Sequence, residues 1–156
     1  MRYRCRGWNG ARADAARDAR QALDELAARE PGVPVVLVGH SMGGRAALLV
    51  GGHPAVRGVV ALAPRCPPGE RVDQLRDRTV ALLHDQRDHV TSAEDTWAFG
   101  ERAQEAGARV RGHAMPDGGH TMLHDARRWQ RLAADLAVAV QDGGPLPATS
   151  GRVVSR

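Results

Sequence analysis

The sequence GHSMGG at residues 39–44 constrains the fold of this chain more than any other segment. It follows the apolar run VVLV at residues 35–38 and leads into residues 45–50, which are compatible with a helix. Glycine has no Cβ atom, so we expect the strand and the helix to approach each other closely at Gly39 and Gly43. The segment therefore predicts a buried strand that turns sharply into a helix, with Ser41 at the turn.

A G-x-S-x-G turn between a strand and a helix holds its serine in a strained backbone conformation and presents the hydroxyl above the sheet. The N-terminus of the following helix carries free N–H groups and the positive end of the helix dipole. A serine hydroxyl is a weak nucleophile, so it needs a general base and a third group that orients the base. A Gly-rich turn without chemistry is the alternative interpretation, and residues further along the chain decide between the two.

Two later loops carry residue types that suit these roles. Residues 79–83 predict a buried strand, and the sequence DQRDHV that follows places Asp88 in a loop at the carboxyl end of that strand. Residues 109–115 predict a weaker strand, and it is followed by PDGGH, a tight loop that ends in His120. When a serine opens the helix after a strand in this way, its partners follow along the chain as acid and then histidine.

Taken together, GHSMGG, the strand followed by HDQRDHV, and PDGGH resemble the α/β-hydrolase fold family, and the resemblance runs from about residue 2 to about residue 140. It implies that Ser41 is the nucleophile, Asp88 the acid and His120 the base. It further implies that the backbone N–H of Met42 contributes to the oxyanion hole. The sequence RGWNG at residues 6–10 resembles the loop after the fourth strand of the family.

The chain departs from the family pattern at Asp85, where the family usually has glycine. Asp85 is therefore a competing candidate for the acid, although the spacing to Val90 favours Asp88. The remaining histidines have ordinary structural interpretations, with His40 packed beside the serine turn and His84 at the end of a strand.

Strand and helix patterns alternate along the chain. Helices are predicted at residues 11–29, 42–51, 92–106 and 124–140, and strands at residues 35–38, 58–63, 79–83 and 109–115. This order predicts an α/β fold with a mostly parallel sheet and helices on both faces. We expect one domain over residues 1–140 and a flexible tail over residues 141–156, which is rich in Gly, Pro, Ser and Arg.

The resemblance begins inside what corresponds to the fourth of the family's eight strands, at residues 3–6. We therefore expect a truncated α/β-hydrolase fold that lacks the loop supplying the second oxyanion donor. The strand at residues 35–38 then either pairs with residues 3–6 or presents an apolar edge through which the chain self-associates. Two explanations stay open: a fragment of a longer hydrolase, or a natural reduced protein.

Composition excludes several classes of partner. The 22 basic residues, all of them arginine, are intermixed with 18 acidic ones, and aromatic residues make up 3% of the chain. We therefore expect no nucleic-acid partner. No stretch is long and apolar enough to suggest a membrane partner, and residues 1–29 contain no signal-peptide core. Two cysteines are too few for a disulfide framework, which favours a cytoplasmic location.

The resemblance implies a serine hydrolase that cleaves a small carboxylic ester or thioester through an acyl-enzyme. A small-molecule substrate is then the expected partner. No Cys/His cluster or phosphate-binding loop is present in the sequence, so we expect neither a metal ion nor an organic cofactor. An acyltransferase or a perhydrolase with the same triad is one alternative. A catalytically inactive remnant is another.

Overall fold

The protein is described here by a computed structural model that covers residues 13–116 and 119–147. The strand predicted at residues 3–6, the RGWNG loop at residues 6–10 and residues 148–156 of the expected tail lie outside this described part. The helices are α1 (Asp14–Arg29), α2 (Met42–Val50), α3 (Ala93–Glu105) and α4 (Ala126–Asp142). The strands are β1 (Val35–His40), β2 (Val56–Leu62), β3 (Thr79–Asp85) and β4 (Arg109–Met115).

These elements have the predicted types and order, and most of their ends differ slightly from the predicted ones. Strand β3 continues through His84 and Asp85, so Asp85 is the last residue of a strand rather than a loop residue. Helix α4 continues to Asp142, beyond the boundary predicted after residue 140. Ser92 caps α3, because its Oγ accepts a hydrogen bond from the Asp95 N–H at 2.9 Å.

The sheet has the order β1-β2-β3-β4, and every described pair of neighbouring strands is parallel. All four strands therefore end at the same edge of the sheet. The loops that carry Ser41, Asp88 and His120 leave from that edge, after β1, β3 and β4 respectively. Parallel α/β sheets bind their ligands at this edge.

Successive residues of β2 point to opposite faces of the sheet, and both faces are covered. Val59 and Ala61 belong to a core that contains side chains of α1, α2 and α3. Val60 and Leu62 belong to a second core that contains Trp129 of α4. Because each face is buried, the central strands read as continuous apolar runs. The α/β architecture with helices on both faces is thus confirmed.

Strand β1 lies at one side of the described sheet, where its only described strand partner is β2. Val38 in this strand is 54% exposed, whereas Val60 beside it on β2 is fully buried. An apolar groove of about 480 Å³ lies between Val38 and α4. Pairing with residues 3–6 falls outside the described part, so the predicted self-association through this edge stays a prediction.

Within the described ranges, none of the helices has the length and apolar character needed to cross a bilayer.

Candidate active site

Ser41 occupies the strained turn that the sequence predicted. Its φ of 54° and ψ of −114° lie in a region that a residue with a side chain rarely adopts, at a typical cost of about 1–3 kcal/mol. Both of its backbone polar groups are anchored. The N–H donates to Leu62 O at 2.9 Å, and the carbonyl accepts from Arg45 N at 3.1 Å and from Arg65 N at 3.3 Å. These bonds hold the serine at the junction of β1 and α2.

The close approach of strand and helix depends on Gly39 and Gly44. A Cβ on Gly39 would lie 2.4 Å from Gly43 O, and a Cβ on Gly44 would lie 3.1 Å from the Pro64 Cβ. A Cβ on Gly43 would meet no described atom within 4 Å. Strand and helix thus approach closely at Gly39 and Gly43 as predicted, but the helix turns the backbone oxygen of Gly43 toward the strand, so the approach does not depend on the missing Cβ of Gly43.

The structure brings Ser41, His120 and Asp88 together in one chain of hydrogen bonds. Ser41 Oγ lies 3.0 Å from His120 Nε2, and His120 Nδ1 lies 2.8 Å from Asp88 Oδ2. An ionised carboxylate only accepts hydrogen bonds, so Nδ1 carries the ring proton and Nε2 is left to accept the serine proton. The imidazole is thus held in the tautomer that a general base requires.

Asp88 has a fully buried side chain that accepts five hydrogen bonds. Oδ1 accepts from the N–H groups of Val90 at 2.7 Å and Thr91 at 3.0 Å. Oδ2 accepts from His120, from the Thr91 hydroxyl at 2.8 Å and from His84 Nε2 at 3.2 Å. Burial by itself acts to raise the pKa of Asp88, but the hydrogen bonds from His120 and from the turn outweigh it and hold the pKa well below its usual range. Asp88 is therefore an anion at neutral pH.

His84 belongs to this network, although its sequence position suggested only a strand end. Its side chain is fully buried, with Nδ1 2.9 Å from the hydroxyl of Thr96 and Nε2 on Asp88. Burial lowers its pKa in spite of the neighbouring carboxylate, so the ring is neutral. The spacing of four residues between His84 and Asp88 was the available signal, because the turn after β3 brings them together.

Asp85, the competing acid, bonds to backbone groups instead of the imidazole. Its carboxylate accepts from Gly119 N at 2.7 Å and from Arg87 N at 2.9 Å, and the residue is 2% exposed. On the other side of the loop, His40 Nε2 donates to the carbonyl of His120 at 2.8 Å. The His120 loop is thus held from both sides.

Met42 is the first residue of α2, so its N–H has no partner within the helix and lies next to Ser41.

Cys66 has a buried side chain. Burial raises the pKa of its thiol to about 12, which leaves it protonated and unreactive. Within the described residues, no three or more His, Cys, Asp or Glu side chains are grouped so as to hold a metal ion.

Comparison with known proteins gives a consistent result. A family model described as serine aminopeptidase, S33, matches residues 5–81, a stretch that contains Ser41 and ends before Asp88. No curated protein matches the chain. The esterase domain of a Rhodothermus marinus protein is similar in structure, with a TM-score of 0.65 and 23% identity, over 81% of this chain and 68% of that one.

Two further solved structures extend the likeness. A homologue of α/β serine hydrolases from Coxiella burnetii has a TM-score of 0.65 and 16% identity, over 85% of this chain and 60% of that one. A protein of unknown function from Agrobacterium tumefaciens, named as a candidate α/β hydrolase, has a TM-score of 0.75 and 17% identity, over 96% of this chain and 68% of that one. The chain thus spans 60–68% of the length of these three structures. Its parallel sheet, its helices on both faces and these matches show that the chain has the fold of the α/β hydrolases.

Proposed function

We propose that this chain is a serine hydrolase that cleaves a small carboxylic ester or thioester through an acyl-enzyme. The observation that carries the proposal is the chain of hydrogen bonds from Ser41 through His120 to Asp88, with distances of 3.0 Å and 2.8 Å. A nucleophile bonded to a base, which is itself oriented by a buried anion, is the arrangement that activates a serine hydroxyl.

In the proposed reaction, Ser41 Oγ attacks the carbonyl carbon while His120 Nε2 takes its proton. The negative charge on the carbonyl oxygen is stabilised by the N–H of Met42 at the start of α2. His120 then donates the proton to the leaving alcohol or thiol, and the acyl group stays on Ser41. Water, deprotonated in turn by His120, releases the acid and restores the enzyme. Throughout, Asp88 keeps the tautomer of His120 and stabilises the imidazolium.

Two considerations support an ester substrate. One of the similar structures is named an esterase domain, and another a homologue of serine hydrolases. The connection between β2 and β3 contains no regular structure beyond the short 3₁₀ turn Asp73–Leu75, so no helical insertion covers the site from there, which favours small acyl groups over long lipid chains. The family model's description as an aminopeptidase makes an aminoacyl amide a useful second substrate to compare.

The acceptor of the acyl group is a separate question, because pocket shape rather than the triad chooses between water, an alcohol and hydrogen peroxide. Acyl transfer and perhydrolysis are therefore the second candidate. Both reactions predict that adding an alcohol or hydrogen peroxide raises the rate at which the ester is consumed. The acyl group should then be found on the added acceptor.

The test is steady-state hydrolysis of p-nitrophenyl acetate, p-nitrophenyl butyrate and an acetyl thioester, with an aminoacyl p-nitroanilide for comparison. We expect turnover of the short esters by the parent and loss of it in Ser41→Ala, which removes only the hydroxyl. Equal rates in parent and variant would exclude Ser41 as the nucleophile. A folded parent without turnover of any substrate would support the inactive remnant.

A further inference from the structure

We infer that Asp85 is a positioning residue that holds the backbone of the His120 loop, and so sets the distance between the base and Ser41. The inference rests on the proposed function for its catalytic consequence.

The first support is the contact itself. Asp85 Oδ2 accepts the N–H of Gly119 at 2.7 Å, and Gly119 directly precedes His120. The distance lies at the short end of the range for an N–H···O hydrogen bond. It joins the carboxyl end of β3 to the loop that follows β4, where the backbone ladder between the two strands has ended at Asp85 and Met115.

The second support is the way the carboxylate is itself held. Asp85 is 2% exposed, and its other oxygen accepts the N–H of Arg87 at 2.9 Å. The carbonyl of Asp85 accepts the N–H of Asp88 at 3.1 Å. One turn thus carries both Asp85, which holds the backbone before the base, and Asp88, which holds the imidazole.

The third support is the conformation of the loop. Gly119 has a φ of +55°, and a Cβ there would meet no described atom within 4 Å, so no described side chain packs against the position that a Cβ would take. The Asp85 bond on its N–H and the His40 bond on the carbonyl of His120 supply what packing does not. Loss of the Asp85 bond frees the loop on its β3 side.

A displaced base costs activity more than binding, since a shift of about 1 Å lowers turnover by roughly 10²-fold. We therefore expect Asp85→Ala to reduce kcat on p-nitrophenyl acetate by ~10–10²-fold with little change in KM. Asp85→Asn keeps one acceptor oxygen where the carboxylate uses two. With that oxygen on the Gly119 N–H, and the Arg87 bond lost, the variant is expected to retain kcat within ~10-fold of the parent. Asp73→Ala, which removes an exposed carboxylate from the surface, is the control and should match the parent.

A second readout does not depend on activity. Amide hydrogen exchange of Gly119, followed by NMR on the full chain, should be slow in the parent and in Asp85→Asn, and fast in Asp85→Ala. If Asp85→Ala does not fold, Asp85→Asn against the parent decides alone. Gly119 exchange and kcat that change together in Asp85→Asn support the inference, and a change in only one of the two overturns it.

The remaining outcomes are also decisive. An unchanged Gly119 exchange rate in folded Asp85→Ala would overturn the inference. Equal losses of kcat in the Asn and Ala variants would also overturn it if Gly119 exchange stays slow in Asp85→Asn, because charge rather than the hydrogen bond would then matter. A parent that hydrolyses no ester, yet whose Gly119 exchange depends on Asp85, would count against the hydrolase and in favour of the bond.

Discussion

His84 Nε2 lies 3.2 Å from Asp88 Oδ2, so the carboxylate that orients His120 is shared with a second histidine that is completely buried. The two rings differ in their surroundings. His84 is enclosed and bonded at both nitrogens, whereas His120 reaches the serine. In the proposed mechanism His84 therefore supports Asp88, and His120 is one of the reacting groups.

Removing the shared bond should lower stability. We expect His84→Leu to reduce the free energy of unfolding by about 1–3 kcal/mol, because Thr96 and Asp88 each lose a buried partner. Urea unfolding measures the change. His89→Leu, on an exposed histidine of the same turn, is the matched control and should change stability by no more than about 0.5 kcal/mol. Similar values for both variants would contradict the structural role of His84.

The assignment of Asp88 as the acid predicts a large effect of a small substitution. Asp88→Asn keeps the shape of the side chain but offers an amide N–H₂ group to His120, which disfavours the required tautomer. We expect kcat on p-nitrophenyl acetate to fall by roughly 10⁴-fold. The loss in Asp85→Asn should be far smaller, and a reversed order of the two variants would make Asp85 the acid.

The glycines of the serine turn offer a matched pair. Gly39→Ala would place a Cβ 2.4 Å from a backbone oxygen, so we expect it to lower the free energy of unfolding, by about 3 kcal/mol if the helix must shift. Gly43→Ala adds its methyl group in open space within the helix, and should be neutral or stabilising by up to about 1 kcal/mol. Thermal or urea unfolding distinguishes the two. Equal destabilisation would mean that Gly43 also faces the strand.

The pH dependence of stability should contain a contribution from His113. Burial and, to a lesser extent, the positive charge of Arg111 lower its pKa to about 4, whereas in the unfolded chain it is about 6.5. Between these values the unfolded chain binds a proton that the folded protein does not, so stability falls as the pH drops.

Replacing His113 removes this contribution. On going from pH 7 to pH 5, His113→Leu should lose about 2 kcal/mol less stability than the parent. The exposed His124 provides the control, because His124→Leu should follow the parent over the same range. Parallel pH profiles of the parent and His113→Leu would show that the pKa of His113 is not lowered in the folded protein.

Much of the architecture was predictable because it depends on local patterns. Apolar runs such as the one in β2 mark strands buried on both faces, and their alternation with helices leaves only a parallel sheet. Order along the chain then places Ser41, Asp88 and His120 at one edge of the sheet. The sequence therefore indicated which residues would converge.

The details that sequence reasoning missed depend on three-dimensional convergence. Whether Gly43 or Gly44 meets a neighbour depends on the rotation of α2 about its axis, which no pattern of glycines determines. The bond from Asp85 to Gly119 joins residues 34 positions apart through the ends of two strands. Such contacts appear only when strand register and loop path are known.

The most direct test of the account is labelling of the full chain with a fluorophosphonate, analysed by mass spectrometry beside Ser41→Ala. The reagent reacts with a serine only when a base activates it. We predict a single adduct on Ser41 and none in the variant. Absence of an adduct in folded parent protein would contradict an assembled and active triad in this chain.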